Sequence, residues 1–269
     1  MKVSRIYLIA LPFMSMSVFA TPVNVGLGTA NLFAVLGGST IINTGPSAIN
    51  GNLGLWSGSV ISGFPPGSVT GTTDAGDATA MLAQNDLTAA YNFAAGQACG
   101  GVLTGQNLGG QTLTAGVYCF ASTAQLTGTL TLNAQGDSNA IFIFQIGTTL
   151  ATAAGSSVVL VNGGQGNNVF WQVGSSATLG STSAFAGNIL ALSNITLGNG
   201  AGIACGRALA LNGAVTMDTN DVSIDPAGCE AGAPLIIPEP GTASLLGLGL
   251  LLGLAGYGMR SWKTILFLE

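Results

Sequence analysis

FQIGTTLAT at residues 144–152 recurs as WQVGSSATL at residues 171–179, 27 positions further along the chain. GNILALSNITLG at residues 187–198 likewise matches GRALALNGAVTM at residues 206–217, with a separation of 19 positions. Each unit is typical of an apolar strand, a small polar corner and a second strand that bears Thr. A single unit cannot bury its apolar face, so units of this length must stack on one another. The repeat therefore predicts a mainly β fold, a β-solenoid, with the β-sandwich as its competitor because short strands and turns describe both.

One segment departs from the strand pattern. DAGDATAMLAQNDLTAAYNFAAG at residues 74–96 is rich in Ala, lacks Pro and places its apolar residues near helical spacing. We expect one amphipathic helix from about Ala75 to Ala95, about 30 Å long. Asp74 and Asp77 fall at its N-terminal end, where the helix dipole favours acids. In a solenoid this helix would cover one flat side.

Both ends of the chain have the composition of targeting segments. Lys2 and Arg5 precede an apolar run and small residues, which predicts a secretory signal peptide over residues 1–20. Residues 242–259 are uncharged, mostly apolar and just long enough to span a bilayer. We expect an exported protein whose domain lies outside the cytoplasm. The predicted organisation is a signal peptide (1–20), a β domain (21–230), a linker (231–241), a hydrophobic helix (242–259) and a short tail (260–269).

Charge in the expected mature domain is sparse and acidic. Between residues 21 and 237 the only cation is Arg207, against eight Asp and Glu residues. Nucleic acids and anionic lipids require Lys and Arg to displace counterions, so neither is an expected partner. Membrane contact is expected only through the C-terminal helix, and the protein is expected to be a monomer.

The four cysteines suit an oxidising compartment and allow three pairings. Proximity in sequence favours Cys99 with Cys119 and Cys205 with Cys229. The chain contains no His and no CxxC spacing, so we expect no metal site and no cofactor.

Thr and Ser recur along the predicted strands. In TAQLTGTLTL at residues 123–132, a strand would place its Thr residues on one face and Leu on the other. Stacked turns lie about 4.8 Å apart, so such residues would form a two-dimensional array of hydroxyls and methyls that can order water. The alternative is an inert Thr ladder that only stabilises the sheet. The candidate residues are Thr127, Thr129, Thr131, Thr148, Thr152, Ser175, Thr178, Ser193, Thr196 and Thr216.

An enzyme is not expected. Glycosidase chemistry needs two facing carboxylates, and Asp218 and Asp221 lie outside any cleft that the sequence suggests. A lyase would need a basic residue to take a proton, and Arg207 is the only cation available in the expected domain. The chain contains no His that could serve in a catalytic triad. A non-enzymatic alternative is a surface adhesin or exopolysaccharide-binding module, in which Trp56 and Trp171 could stack on sugars. Packing in the core or at an edge is the competing interpretation of both Trp residues.

Two resemblances extend this reasoning. Pro238, Glu239 and Pro240 before the hydrophobic helix resemble the PEP-CTERM sorting signal of Gram-negative bacteria, which implies cleavage of the tail by an exosortase-type protease; a plain single-span anchor is the alternative. NLFAVLGGSTIINTGPSAINGNLG, ISGFPPGSVTG, LTAGVYCF, AIFIFQIGTTL and NVFWQVGSSATLG resemble the β-solenoid ice-binding proteins of bacteria, yeasts and sea-ice algae, over residues 23–224.

The second resemblance implies a discontinuous triangular β-solenoid in which N-terminal strands complete turns with later segments. It also implies a long helix along one face and ice adsorption on a flat neighbouring face. The family's Thr-Ala/Gly-X-Thr/Asn motif is approximated by SSAT at residues 175–178, SNIT at residues 193–196 and NTGPS at residues 43–47. The expected partner is an ice crystal surface, and the expected effect is inhibition of ice growth and recrystallisation.

Overall fold

The computed structural model describes residues 22–225 of the chain. The predicted signal peptide, Cys229 and everything C-terminal to it, including Pro238, Glu239, Pro240 and the hydrophobic segment 242–259, lie outside the described residues. Within the described part, no helix is both long and apolar enough to cross a bilayer.

The described chain is built of parallel β-strands and one α-helix, α1 (Ala78–Ala95), with 3-10 helices at Gly28–Leu32 and Gly166–Asn168. The mainly β prediction with a single helix is confirmed. In chain order the strands are β1 (Phe33–Gly37), β2 (Thr40–Thr44), β3 (Ala48–Asn50), β4 (Asn52–Leu55), β5 (Val60–Ser62), β6 (Ser68–Val69), β7 (Thr73–Ala75), β8 (Gly101–Val102), β9 (Thr112–Thr114), β10 (Gly116–Phe120), β11 (Ala124–Leu126), β12 (Thr129–Asn133), β13 (Phe142–Ile146), β14 (Leu150–Thr152), β15 (Ser157–Val161), β16 (Val169–Val173), β17 (Ala177–Leu179), β18 (Ala184–Ala191), β19 (Ile195–Leu197), β20 (Gly202–Ala210), β21 (Val215–Asp218) and β22 (Asp221–Ser223).

The strands form three sides that the chain visits in the same order on each turn. The first, the helix side, contains β1, β10, β13 and β16. The second is a separate seven-stranded sheet in the order β11-β14-β17-β19-β21-β2-β5. The third side contains β3, β12, β15 and β22. The long strands β18 and β20 join the third side to the helix side, so these two sides together make one fifteen-stranded sheet.

A glycine permits the bend between those two sides. The register of β18 against β20 shifts between Ala186 and Asn188, at Gly187, whose φ is +102°. A Cβ on Gly187 would lie 2.8 Å from the side chain of Val169 and 3.0 Å from Nε1 of Trp171. A larger residue would therefore be strained both by its backbone angle and by its neighbours.

Sequence order and spatial order differ at the N-terminus. Strands β1, β2 and β3 pair with β20, β21 and β22, so the first turn of the chain stacks on the last. Strands β4, β5 and β6 then form a further turn beyond them. The chain must return to the opposite end of the stack before β8. At 1.5 Å per residue the 18-residue α1 covers about 27 Å of that return.

The helix fits this position through one apolar stripe. Its N-cap is Asp77, whose carboxylate accepts a hydrogen bond from the N–H of Ala80, and it ends at Gly96. Ala83, Leu87 and other buried residues of α1 pack on the outer surface of the helix side. The sheet residues that they cover include Phe33, Leu36, Ile143, Phe170, Leu190 and Leu209. The helix side is therefore buried on both of its surfaces.

The interior between the three sides contains a stack of aromatic rings. Phe144 and Trp171 lie with ring centroids 3.9 Å apart and planes 9° apart, and Tyr118 and Phe185 extend the stack at either end. Trp171 is completely buried and its indole N–H donates to the carbonyl of Ala186. The hypothesis that Trp171 stacks on sugars is wrong, because register with Phe144 places it in the core.

The cysteine pairing is resolved in part. Cys99, in the loop after α1, is disulfide-bonded to Cys119 of β10, with 6.0 Å between their Cα atoms. This confirms the first predicted pair and ties the end of the helix to the sheet beneath it. Cys205 is also disulfide-bonded, and its predicted partner, Cys229, lies outside the described residues.

Candidate functional site

The seven-stranded sheet presents two outward rows of side chains, which together we call the seven-strand face. Residues that point inward from this sheet, such as Ala177, Ile195 and Val215, are buried, whereas those on either side of them are partly or fully exposed. The first row contains Thr123, Thr149, Ser176, Asn194, Ala214, Thr40 and Val60. The second row contains Gln125, Ala151, Thr178, Thr196, Thr216, Ile42 and Ser62.

The rows stay in register from strand to strand. Thr178 pairs with Thr196, Thr196 with Thr216, and Thr216 with Ile42. No bulge interrupts these pairings, whereas the fifteen-stranded sheet contains two. Neighbouring strands are about 4.8 Å apart and alternate residues about 7 Å apart, so the seven-strand face is a regular array about 30 Å long.

The seven-strand face carries no ionisable group. All fourteen positions are occupied by Thr, Ser, Asn, Gln, Ala, Val or Ile. Short side chains of similar length leave no large protrusion, and the array offers hydroxyls and methyls side by side. Such a surface can take part in many weak contacts at once, and its fixed backbone has little conformational entropy to lose on binding.

The N-terminal strands extend this array with apolar residues. Ile42 of β2 is 42% exposed and Val60 of β5 is 60% exposed, although both are large hydrophobic side chains. They lie at one end of the seven-strand face, beyond the Thr residues of β17, β19 and β21. The array therefore carries its two large apolar side chains at this end, beside the hydroxyls of Thr40 and Ser62.

Six of the ten predicted residues lie on or beside this face. Thr178, Thr196 and Thr216 are adjacent members of its second row. Thr148, Ser175 and Ser193 occupy the corner that precedes it. There the Thr148 hydroxyl lies 3.1 Å from that of Thr123, and the N–H of Ser193 donates to the carbonyl of Ser175.

Four other predicted residues lie elsewhere. Thr127 is exposed at the corner after β11. Thr129 and Thr131 belong to β12 on the third side, so they share no surface with Thr178. Thr152 points inward and is 8% exposed, and its hydroxyl accepts a hydrogen bond from the N–H of Gly180. Sequence alternation could not distinguish these positions, because one third of a turn of the chain moves a Thr row to another side.

The NTGPS segment is also not a surface motif. Asn43 and Ser47 are 4% and 1% exposed, and the Ser47 hydroxyl donates to the side-chain oxygen of Asn43. The Asn43 amide in turn donates to the carbonyls of Gly45 and Gly63. These bonds hold the corner after β2 together, so this segment has a structural role.

Sequence reasoning missed several residues of the seven-strand face that lie next to the predicted ones. Thr149, Ser176 and Asn194 immediately follow the predicted Thr148, Ser175 and Ser193, and they are the positions that flank the buried Leu150, Ala177 and Ile195. The alternation around these buried residues was the signal available. Thr40, Ile42, Val60 and Ser62 were missed for another reason: they join the face only through the pairing of β2 with β21.

The residues weighed for catalysis are dispersed. Asp218 ends β21, whereas Asp221 starts β22 on the third side, where burial raises the pKa of its carboxyl group. Arg207 is 3% exposed, and burial lowers its pKa to about 10. Its guanidinium donates to the side chains of Asn31, Asn167 and Asn188. The third side therefore includes a carboxylate in its outward row. The two rows of the seven-strand face include none, but Asp218 points outward beside them, one alternate position beyond Thr216.

Comparison with known proteins gives consistent matches. The family model described as Ice-binding-like matches residues 35–223. A protein of Nostoc sp. (strain HG1) named ice-binding protein is 51% identical over 98% of this chain and 99% of its own. The crystal structure of an ice binding protein from an Antarctic biological consortium is 43% identical, with a TM-score of 0.74, over 80% of this chain and 96% of that one. The ice-binding protein of the Antarctic ascomycete Antarctomyces psychrotrophicus is 41% identical, with a TM-score of 0.73, over 76% and 99% of the two chains.

Proposed function

The chain belongs to the Ice-binding-like family, and from this premise we propose that it adsorbs to ice through the seven-strand face and inhibits ice growth and recrystallisation. The observation that carries the proposal is the pair of in-register rows of uncharged side chains on one exposed sheet. The relatives named above are called ice-binding proteins, which agrees with it.

The physical basis is a fixed template for ordered water. Methyl groups of Thr, Ala, Val and Ile favour cage-like hydration, and Thr and Ser hydroxyls anchor those waters at positions set by strand spacing. Each contact is weak, but the whole array meets the ice at once. A carboxylate within the array would retain a hydration shell that does not match ice. The two rows contain none, because the outward-pointing Asp218 lies beyond Thr216 at the end of β21, whereas Asp221 lies within the outward row of the third side.

The finer description of the fold is part of this proposal. We infer a discontinuous triangular β-solenoid, in which the three sides are the faces of a triangle and α1 covers one of them. It is supported by the parallel pairing, by the constant order of sides on each turn and by the stacking of β1, β2 and β3 on the last turn. Such a frame holds the rows rigid because each strand between the edge strands β11 and β5 is hydrogen-bonded on both sides.

Export and processing are also proposed, on sequence patterns alone. The signal peptide (1–20), the linker (231–241), the Pro238-Glu239-Pro240 motif, the hydrophobic helix (242–259) and the tail (260–269) indicate secretion and transient or permanent tethering. An exosortase-type protease is the expected processing partner. The relatives are named as ice-binding proteins and not as enzymes, and we propose no catalytic activity for this chain.

The adhesin alternative loses one of its supports. Of the two Trp residues considered for sugar stacking, Trp171 is in the core and Trp56 is half-buried. Ice adsorption is therefore the better supported function.

An ice-recrystallisation assay on the purified protein tests the proposal. We expect small ice grains to persist in a dilute solution of the protein, and single crystals to grow with facets. Ice that coarsens and grows as it does in buffer, in the presence of folded protein, would contradict the proposal.

A further inference from the structure

A cleft beside the helix side contains the only cation of the described chain. Its volume is about 570 Å³, and Arg207 is one of its lining residues. Side-chain amides dominate the polar part of the lining, which includes Asn24, Asn31, Asn167 and Asn168. We call this cavity the Arg207 cleft. It is separate from the seven-strand face, because Arg207 belongs to β20 and Asn31 to the N-terminal 3-10 helix.

All five N–H groups of Arg207 are engaged by neutral oxygens. Nε and Nη2 donate to the carbonyl of Asn31 at 3.2 and 2.8 Å, and Nη2 also donates to Oδ1 of Asn31 at 2.8 Å. Nη1 donates to Oδ1 of Asn167 at 3.2 Å and to Oδ1 of Asn188 at 2.7 Å. The guanidinium is thus fully hydrogen-bonded, but no carboxylate of residues 22–225 pairs with it.

Among residues 22–225, no counter-charge accompanies this buried positive charge. Removing an ion from water is energetically unfavourable when no opposite charge compensates for it. Burial is the cause of the lowered pKa of Arg207. A negatively charged ligand in the Arg207 cleft would supply the missing charge.

The same hydrogen bonds orient two donors for such a ligand. Because Oδ1 of both Asn31 and Asn167 accepts a hydrogen bond from Arg207, the Nδ2 group of each amide faces away from the guanidinium. Neither Nδ2 has a hydrogen-bond acceptor within the described chain. In contrast, Nδ2 of the fully buried Asn188 donates to the carbonyls of Asn167 and Val169 and is satisfied. Asn31 and Asn167 both line the cleft, so their amides can donate to a ligand there.

We propose that the Arg207 cleft binds a monovalent carboxylate, held by the Nδ2 groups of Asn31 and Asn167 and neutralised by Arg207. One positive charge matches one carboxylate, whereas a dianion such as sulfate would leave a net negative charge in the cleft. The volume is within the range of small-molecule sites. The carboxylate can therefore be a small free acid or the acid group of a sugar, and the test separates these sources.

Titration of the full chain with glucuronate, acetate, glucose and sulfate tests the proposal, with binding followed by calorimetry and by the side-chain amide signals of Asn31 and Asn167 in NMR. We expect saturable binding of glucuronate with a dissociation constant in about the millimolar range, and binding of glucose and sulfate at least tenfold weaker. Acetate that binds as tightly as glucuronate assigns the site to the carboxylate alone, and weaker acetate assigns it to an acidic sugar. Absence of saturable glucuronate binding, or equal binding of sulfate or glucose, would overturn the proposal.

Variants separate a binding role from a structural one. Asn167→Asp places a carboxylate beside Arg207, so we expect glucuronate binding to fall at least tenfold while the melting temperature is kept or raised. The matched control is Asn199→Asp, the same change of charge at an exposed turn outside the cleft, which should leave binding unchanged. Wild-type affinity in Asn167→Asp would refute the assignment. Recrystallisation inhibition should be the same in all three proteins, so this inference and the proposed function fail independently.

Discussion

Thr196→Tyr tests the seven-strand face at its centre. Thr196 is exposed, it makes no side-chain hydrogen bond within the described chain, and Thr178 and Thr216 flank it on the neighbouring strands. A Tyr ring stands above this array of short residues. Ice that rests on the ring is held away from residue 196 and from neighbours within about 7 Å. This distance equals the spacing of alternate residues along a strand and exceeds the spacing of adjacent strands.

The expected loss of ice-binding activity depends on how much of the seven-strand face the ring keeps away from the ice. Roughly four of the fourteen positions of the face lie within that distance: Thr196 itself, one neighbour on each adjacent strand and Asn194 in the other row. If each position buries about 20 Å² of apolar surface against ice, four contribute about 2 kcal/mol at 25 cal/mol per Å². Since about 1.4 kcal/mol corresponds to a factor of ten, activity should fall between about tenfold and about a hundredfold.

The assay is the protein concentration that halves ice recrystallisation, measured beside urea unfolding. The free energy of unfolding should change by less than about 0.5 kcal/mol, because the side chain is on the surface. Thr131→Tyr is the matched control: Thr131 flanks buried Leu residues in the same way but lies on the third side. Unchanged activity in Thr196→Tyr, or an equal loss in Thr131→Tyr, would show that ice binds another side.

Three further predictions concern stability. The hydroxyl and N–H of Thr29 donate to the Asp86 carboxylate and lower its pKa below 3.8, so the stabilisation they give is complete above the unfolded-state pKa and is lost as the pH falls through the folded-state pKa. In urea unfolding between pH 6 and pH 2, Thr29→Val should therefore lose less stability at acid pH than the unsubstituted protein. An identical loss of stability in both proteins would contradict this link. Cys99→Ser opens a disulfide that closes a sequence separation of 20, so unfolding under oxidising conditions should require about 2 to 4 kcal/mol less, whereas no change would show that the bridge constrains nothing. Trp171→Ala removes a fully buried ring from the aromatic stack and should cost about 3 to 5 kcal/mol in the same measurement; a loss under 1 kcal/mol would place this ring outside the tight core.

The sequence alone determined the mainly β character, the single helix and the family. The repeat of FQIGTTLAT as WQVGSSATL predicts stacked units, and Phe144 indeed pairs with Trp171 in adjacent strands. The helix is predicted by a segment that is rich in Ala, lacks Pro and places its apolar residues near helical spacing. These features depend on neighbours along the chain, which is why local patterns were sufficient to find them.

Only the tertiary structure decided which Thr residues share a surface. Alternation determines whether a side chain points inward or outward, but it does not determine on which of the three sides the strand lies. Thr131 and Thr196 therefore look alike in the sequence, although they lie on different sides of the structure. The same limit hid Ile42 and Val60, which join the array only because β2 stacks on β21, a strand near the other end of the described chain. Binding to a repeating surface depends on positions shared across turns, and such positions are set by strand register, which no local pattern contains.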